Sequence, residues 1–295
     1  MNADCGNSAD NAQKDKSEKK VAFVLSGGGN QGALEVGALL ALLERDIRPK
    51  VLVGTSVGAI NAAALAINPT FEGARWLESI WHGVTKEAIM PNSYLSMVWR
   101  LVTGHSSVFT NENLRSFLES HLPEGIRQFA DVKMAELYIT AVDLHTGELH
   151  IFGIDRSESL LDAVMSSTAL PPFLSPWQYQ GREYVDGGVL TDLPIRVALE
   201  MNATEIYAIG VYEPRRVKKS YRGIFRIIGQ IVSIVSYQRL LDELGWCTML
   251  AKGNIHHIGI EAFEGLRFWD FSHTDEMIEK GRQVGREYLK KQGLV

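Results

Sequence analysis

Apolar positions along the chain fall into two rhythms. VAFVLS, from Val21 to Ser26, is an unbroken apolar run stopped by three glycines, and KVLVG, from Lys50 to Gly54, is a second run of the same kind. Such runs belong to strands buried on both faces of a parallel sheet. Each is followed by helical spacing: ALEVGALLALLERD ends in charge, and VGAINAAALAIN closes at Asn68-Pro69, where proline stops a helix. This βαβα start predicts a parallel sheet covered by helices.

From Phe71 to about Pro123 the pattern is mainly helical with interruptions, including YLSMVWRLV at 94–102 and NENLRSFLESHL at 111–122. LYITAVDLHTGELHIFG then alternates and turns at His145-Thr146-Gly147, as a hairpin does. SSTALPPFLSPW reads as a proline-rich loop, YQGREYVDGG as a strand entering a glycine turn, and LPIRVALEM as a helix. TEIYAIGVY and NIHHIGI read as further strands. Neither a repeat nor a linker interrupts residues 20–295, so a single α/β domain is expected there, after a disordered polar tail at 1–19.

Composition narrows the function classes. With 295 residues, 45% of them hydrophobic, the chain can bury one large core. A net charge of -5 lacks the basic footprint of a nucleic-acid binder. Cys5 and Cys247 are too few for a disulfide framework and too far apart for a metal pair. The tail lacks the apolar core of a secretory signal, and no apolar run reaches transmembrane length. A cytoplasmic protein, soluble or peripherally attached to a membrane, is expected. Residues 215–235 offer the attachment: Arg215, Arg216, Lys218, Lys219, Arg222 and Arg226 lead into Ile224, Ile227, Ile228, Ile231, Ile234 and Val235. A basic amphipathic stretch of this sort suits an anionic lipid surface, and equally a core helix behind a solvated loop. YLSMVWRLV, with Tyr94 and Trp99, has the same two readings.

The first candidate site is Ser56 in VLVGTSVGAINAAAL. A nucleophile elbow needs a strand, a sharp turn and a helix in that order, with glycines at the places of Gly54 and Gly58 where side chains collide. Ser56 would then stand at the positive end of a helix, where developing negative charge is favoured. A plain strand-to-helix turn with Ser56 as N-cap is the alternative.

GGGNQG, Gly27 to Gly32, is the second. It contains GxGxxG after a strand and before a helix, which suits a dinucleotide. That site also needs an acidic residue closing the second strand, where this chain has Gly54-Thr55-Ser56. Consecutive glycines also let backbone N–H groups approach a small oxyanion. Adjacent parallel strands would bring Gly28 and Gly29 beside Ser56.

Serine needs a proton acceptor. His256 or His257 would complete a triad in the order Ser, Asp, His. Asp186, at the end of a predicted strand in VDGGVL, is the other choice. An ordinary carboxylate is a poor base toward serine, so that pair requires a shielded pocket.

GGGNQG, GTSVG and DGG in this order resemble the patatin-like phospholipase family, lipid acyl hydrolases with a Ser-Asp dyad and no histidine. The resemblance extends to AVDLHTGEL at 141–149, SSTALPPFLSP at 166–176 and GREYVDGGVLTDLPIRVALEMNATEIYAI at 181–209, and covers roughly residues 20–212. It implies a three-layer α/β/α sandwich around a mostly parallel sheet; beyond it, residues 213–295 read from their own pattern as a helical basic and apolar C-terminal part. By the same resemblance Ser56 is the nucleophile, Asp186 the general base, and the backbone of Gly27, Gly28 and Gly29 the oxyanion hole. Gly32, Gly54, Gly58, Gly187 and Gly188 complete the motifs. The implied substrate is a lipid or fatty-acyl ester, cleaved without metal or organic cofactor by phospholipase A, lysophospholipase or carboxylester hydrolase chemistry. The family commonly has Arg or Lys where this chain has Gln31. A lipid-binding scaffold without turnover is therefore the rival within the fold.

Overall fold

The computed structural model describes residues 19–89, 110–212, 224–250, 254–263, 266–267 and 270–294. The polar tail before Lys19, YLSMVWRLV and Arg215 to Arg222 lie outside the described residues. Among the described residues eight strands form one sheet: β1 (Val21–Leu25), β2 (Val51–Thr55), β3 (Glu136–Asp143), β4 (Leu149–Phe152), β5 (Trp177–Tyr179), β6 (Arg182–Asp186), β7 (Glu205–Tyr212) and β8 (Asn254–Glu261). Their order is β5-β6-β3-β2-β1-β7-β8, with β4 paired on β3. The helices are α1 (Gly32–Leu43), α2 (Val57–Ile67), α3 (Phe71–Gly83), α4 (Lys86–Ile89), α5 (Asn111–His121), α6 (Leu160–Thr168), α7 (Ile195–Glu200), α8 (Ile224–Leu250) and α9 (Thr274–Lys291).

Alternation along the strands divides the interior into two layers. Phe23 and Leu25 of β1 join Leu52, Ile139 and Ile209 under α1, α2, α3, α6 and α9. Ala22 and Val24 join Val51, Val53 and Ala208 under α7 and the Leu240, Leu244 and Cys247 positions of α8. The result is a three-layer α/β/α sandwich around a mostly parallel sheet. Every residue of α1 is buried, which is why ALEVGALLALL is apolar around its circumference rather than along one stripe.

The expected strand YQGREYVDGG is broken. Gln180 and Gly181 both take positive φ, at 50° and 76°, the geometry of a two-residue hairpin turn. So β5 and β6 are two short antiparallel strands, and β6 enters the sheet against the common direction. β3 pairs with β2 through Glu136 to Thr140 and with β6 through Ala141 to Asp143. Its opposite edge is taken by β4 over Ile139 to Val142. β2 and β6 therefore lie end to end along one edge of β3, and their C-terminal ends meet. Ser56 follows one of them; Asp186 closes the other.

Candidate active site

Ser56 sits between β2 and α2 with φ 56° and ψ -126°, a left-handed conformation that costs a non-glycine residue energy and is stored where the surroundings enforce it. Enforcement comes from close backbone approach: a Cβ on Gly54 would stand 2.3 Å from the Gly58 carbonyl oxygen, and one on Gly58 would stand 2.4 Å from that of Ser26. The Ser56 N–H donates to Ser167 Oγ on α6 at 2.8 Å, so a buried hydroxyl far along the chain braces the turn.

Asp186 is only 2% exposed. Its carboxylate accepts the Gly188 N–H at 2.8 Å, and the Ser56 hydroxyl lies near enough to favour its ionised form. Burial pushes its pKa up to about 7, the Ser56 hydroxyl and the Gly188 N–H opposing the shift and the nearby Asp192 charge reinforcing it. That value suits a general base near neutral pH far better than an ordinary aspartate does.

The glycine loop lies against this pair. A Cβ on Gly27 would come within 3.3 Å of Ser56 Cβ. Gly28 and Gly29 take φ 145° and 60°, and among the described residues their N–H groups have no acceptor. The Gly27 N–H is different: it donates to Asp192 Oδ1 at 3.1 Å. The loop is tied down from behind. Glu35 on α1 accepts the Ser26 N–H at 2.7 Å and the Asn61 amide at 2.9 Å, and burial pushes its carboxyl well above the ordinary range. At the position of the family's cation, Gln31 pairs with the backbone of Phe263, accepting its N–H at 3.1 Å and donating to its carbonyl at 3.5 Å. A neutral amide thus orders the loop there.

Ser56, Asp186, Asp192 and the three glycines border a cavity of about 570 Å³. Most of the remaining wall is apolar, with Ile60, Leu77, Leu114, Leu118, Val164 and Phe173 among its residues, and Ser233 and Ser236 bring α8 to it. Its size falls in the range that holds a small-molecule ligand, and it supplies the shielding that a Ser-Asp pair requires.

The two histidines that a triad would call on are elsewhere. His256 stacks on Tyr207 with ring centroids 4.5 Å apart, His257 has a buried Nε2, and neither borders the cavity. The place of a ribose-binding acid is held by Thr55, whose hydroxyl meets that of Thr140 at 2.7 Å. Sequence reasoning missed Ser167 and Asp192. Asp192 did carry a signal: it is the lone charge in the apolar run after the double glycine, GGVLTDLPI.

A family model for patatin-like phospholipase matches residues 23–199. The chain is 27% identical over 233 residues to uncharacterized protein YqhO of Bacillus subtilis, covering 70% of this chain and 77% of that one. It is 28% identical over 193 residues to patatin-like phospholipase domain-containing protein 7 of Mus musculus, covering 65% of this chain and only 13% of that much longer relative. Among solved structures, VipD from Legionella pneumophila shares the fold, with a TM-score of 0.52 at 14% identity over 93% of this chain and 67% of that one.

Proposed function

The chain belongs to the patatin-like phospholipase family, and we propose that it is a serine lipid acyl hydrolase in which Ser56 attacks and Asp186 moves the proton. One observation carries the reading: Ser56 and the buried carboxylate of Asp186 border one apolar cavity, with the Ser56 hydroxyl near enough to act on that carboxylate's ionisation.

The chemistry follows from the placement. As Ser56 Oγ attacks the ester carbonyl, its proton passes to Asp186, and the tetrahedral oxyanion is received by the free N–H groups of Gly28 and Gly29. Gly27, whose N–H is engaged by Asp192, anchors the loop instead of donating to the oxyanion. Collapse expels the alcohol or lysolipid, which takes the proton back from Asp186 and leaves an acyl-enzyme. Water then attacks the acyl carbonyl, giving its proton to Asp186. Ser56 recovers that proton as the fatty acid departs. The acyl chain lies along the apolar wall, where each buried methylene contributes about 0.8 kcal/mol.

The lipid reaches the cavity from a membrane surface in this reading. Ser233 and Ser236 of α8 border the cavity, while Ile231 and Ile234 on the same helix are 54% and 55% exposed. The basic run from Arg215 precedes them in sequence, suited to anionic headgroups. No helix among the described residues is long and apolar enough to cross a membrane; the proposed contact is a peripheral one made by the basic run and the exposed isoleucines.

The test uses aryl esters and phospholipid vesicles of neutral and anionic composition. The wild type hydrolyses both, faster on anionic vesicles, and is labelled at Ser56 by a fluorophosphonate. Ser56→Ala loses labelling and at least about 10³-fold in turnover. Equal hydrolysis by the two proteins would overturn the assignment.

A further inference from the structure

Asp192 is a carboxylate that neither the dyad nor the glycine motif requires. It follows the short 3-10 turn Gly187–Val189 and precedes α7, and both of its neighbours are fixed. The Thr191 carbonyl accepts from Thr55 Oγ1 at 3.3 Å, and Leu193 is 2% exposed in the core beneath α7. Its side chain is therefore delivered to one place, the seam between the glycine loop and the elbow.

The distances define that seam. Asp192 Oδ1 accepts the Gly27 N–H at 3.1 Å. A Cβ on Gly27 would lie 2.5 Å from the same oxygen and 3.3 Å from Ser56 Cβ, which keeps oxygen and serine within about 6 Å of each other. A Cβ on Gly188 would lie 3.1 Å from Asp186 Oδ1 and 3.5 Å from Asp192 Oδ1, so the two carboxylates are also within about 7 Å. Asp186 is acted on by the Ser56 hydroxyl, the Gly188 amide and Asp192. Asp192 is acted on by the Gly27 amide, and its charge acts in turn on the Glu35 carboxyl of α1. Among the described residues no cation influences either aspartate, although His121 of α5 borders the same cavity.

We propose that Asp192 is a positioning residue for the hydrolysis, with two separable roles: its carboxylate oxygen pins Gly27 so that the Gly28 and Gly29 amides face Ser56, and its negative charge makes Asp186 a better proton acceptor. The inference rests on the dyad reading above. Anchoring alone needs only an acceptor, which the carbonyl of an asparagine supplies equally well. The second role needs a charge, because in a shielded site one carboxylate resists ionisation beside another. Burial pushes both carboxyls up, Asp186 to about 7 and Asp192 to about 6, so the site resists holding two negative charges at once. The two titrate as a coupled pair.

Substitutions separate the roles. Asp192→Asn keeps the acceptor and removes the charge; Asp192→Glu keeps the charge and displaces the acceptor; Asp192→Ala removes both. The experiment measures kcat and KM for a short-chain aryl ester from pH 5 to 9, with fluorophosphonate labelling rates and thermal unfolding of each variant. In Asp192→Asn the acid limb of kcat/KM moves to lower pH by about half a unit or more, with KM unchanged. Asp192→Glu retains the wild-type acid limb but shows a kcat lowered by about tenfold and slower labelling. Asp192→Ala shows both defects. An acid limb in Asp192→Asn that coincides with wild type overturns the charge role. Wild-type kcat and labelling in Asp192→Glu overturn the anchoring role. Inactivity of Asp192→Asn as complete as that of Asp186→Asn makes Asp192 the base itself and overturns the proposal. Should Asp192→Ala not fold, the Asn and Glu variants still decide both roles. Absence of Ser56-dependent hydrolysis in the wild type would be a failure of the dyad reading, a different result from any of these.

Discussion

The sheet holds buried ionisable groups at both of its ends, and it holds them in opposite ways. At the C-terminal ends of the strands, Asp186 and Asp192 lie close together with no cation among the described residues to neutralise them, and they open on a cavity. At the other end, where β7 begins, Glu205 is paired with Lys19 at 2.9 Å and accepts the Tyr207 hydroxyl at 2.9 Å. His256 packs over that tyrosine and meets the Tyr288 hydroxyl at 3.2 Å. Burial acts to raise Glu205, but Lys19 and Tyr207 outweigh it and hold the carboxyl below its ordinary range. One end spends its hydrogen bonds on neutralising charge. The other leaves its carboxylates without a cation and, among the described residues, leaves two backbone N–H groups free, as a site prepared for a reacting group does.

The largest effect that tests this contrast is on activity. Asp186→Asn is expected to lose about 10³-fold or more in kcat/KM, whereas His256→Ala and His257→Ala stay within about twofold of wild type. The pH profile sharpens it. As the proposed base Asp186 must be ionised, and burial places its pKa at about 7, so wild-type kcat/KM is expected to fall about tenfold for each pH unit below that point and to level off above it. Loss of activity in either histidine variant, or a profile flat down to pH 5, would break the contrast.

A smaller effect separates the cavity from the dyad. Ala64 lies on α2 and borders the cavity, so Ala64→Trp should fill part of the acyl path and leave the elbow in place. Hydrolysis of long-chain esters is then expected to fall about tenfold relative to short-chain ones, measured as a ratio of kcat/KM values. An unchanged ratio would mean the acyl chain lies elsewhere.

Much of the reactive end was legible before the structure because its demands are local. A buried strand, a turn too tight for side chains and a following helix are contiguous in VLVGTSVGAINAAAL and in VAFVLSGGGNQGALEV, and parallel pairing of β1 with β2 brings the two turns together. The hairpin at His145-Thr146-Gly147 was likewise local. What could not be read is what tertiary contact alone decides. Ser167 braces Ser56 from 111 positions away, Asp192 reaches Gly27 across 165, and Gln31 finds Phe263 across 232. The head-to-head meeting of β2 and β6 depends on which edge of β3 each takes, and hydrophobic alternation is the same for either edge. The family motif pointed to Asp186, but its reversed strand and its shielding needed the fold.

The smallest effects are on stability, and there the two ends differ in sign. Asp186 has a folded pKa of about 7, above its unfolded value of about 3.9. Between those values the native state binds more protons than the unfolded state. The stability this contributes is complete below about pH 4 and is lost as pH rises through about 7, leaving a buried charge above. Asp186→Asn removes that charge, so it is expected to be more stable than wild type at pH 8, by about 1 kcal/mol after weakening the contacts its carboxylate makes, with the gain shrinking on acidification. Glu205 has its folded pKa lowered, so its contribution is present above the unfolded value of about 4.3 and disappears as pH falls through the folded one. Glu205→Gln is accordingly expected to be less stable than wild type at pH 8 by about 1 kcal/mol, with the deficit closing toward pH 3. Urea unfolding at pH 4, 6 and 8 reads both differences. Deficits of the same sign in the two variants at pH 8 would mean that the reactive carboxylate is as well compensated as the structural one, and that the distinction between the two ends of the sheet is not electrostatic.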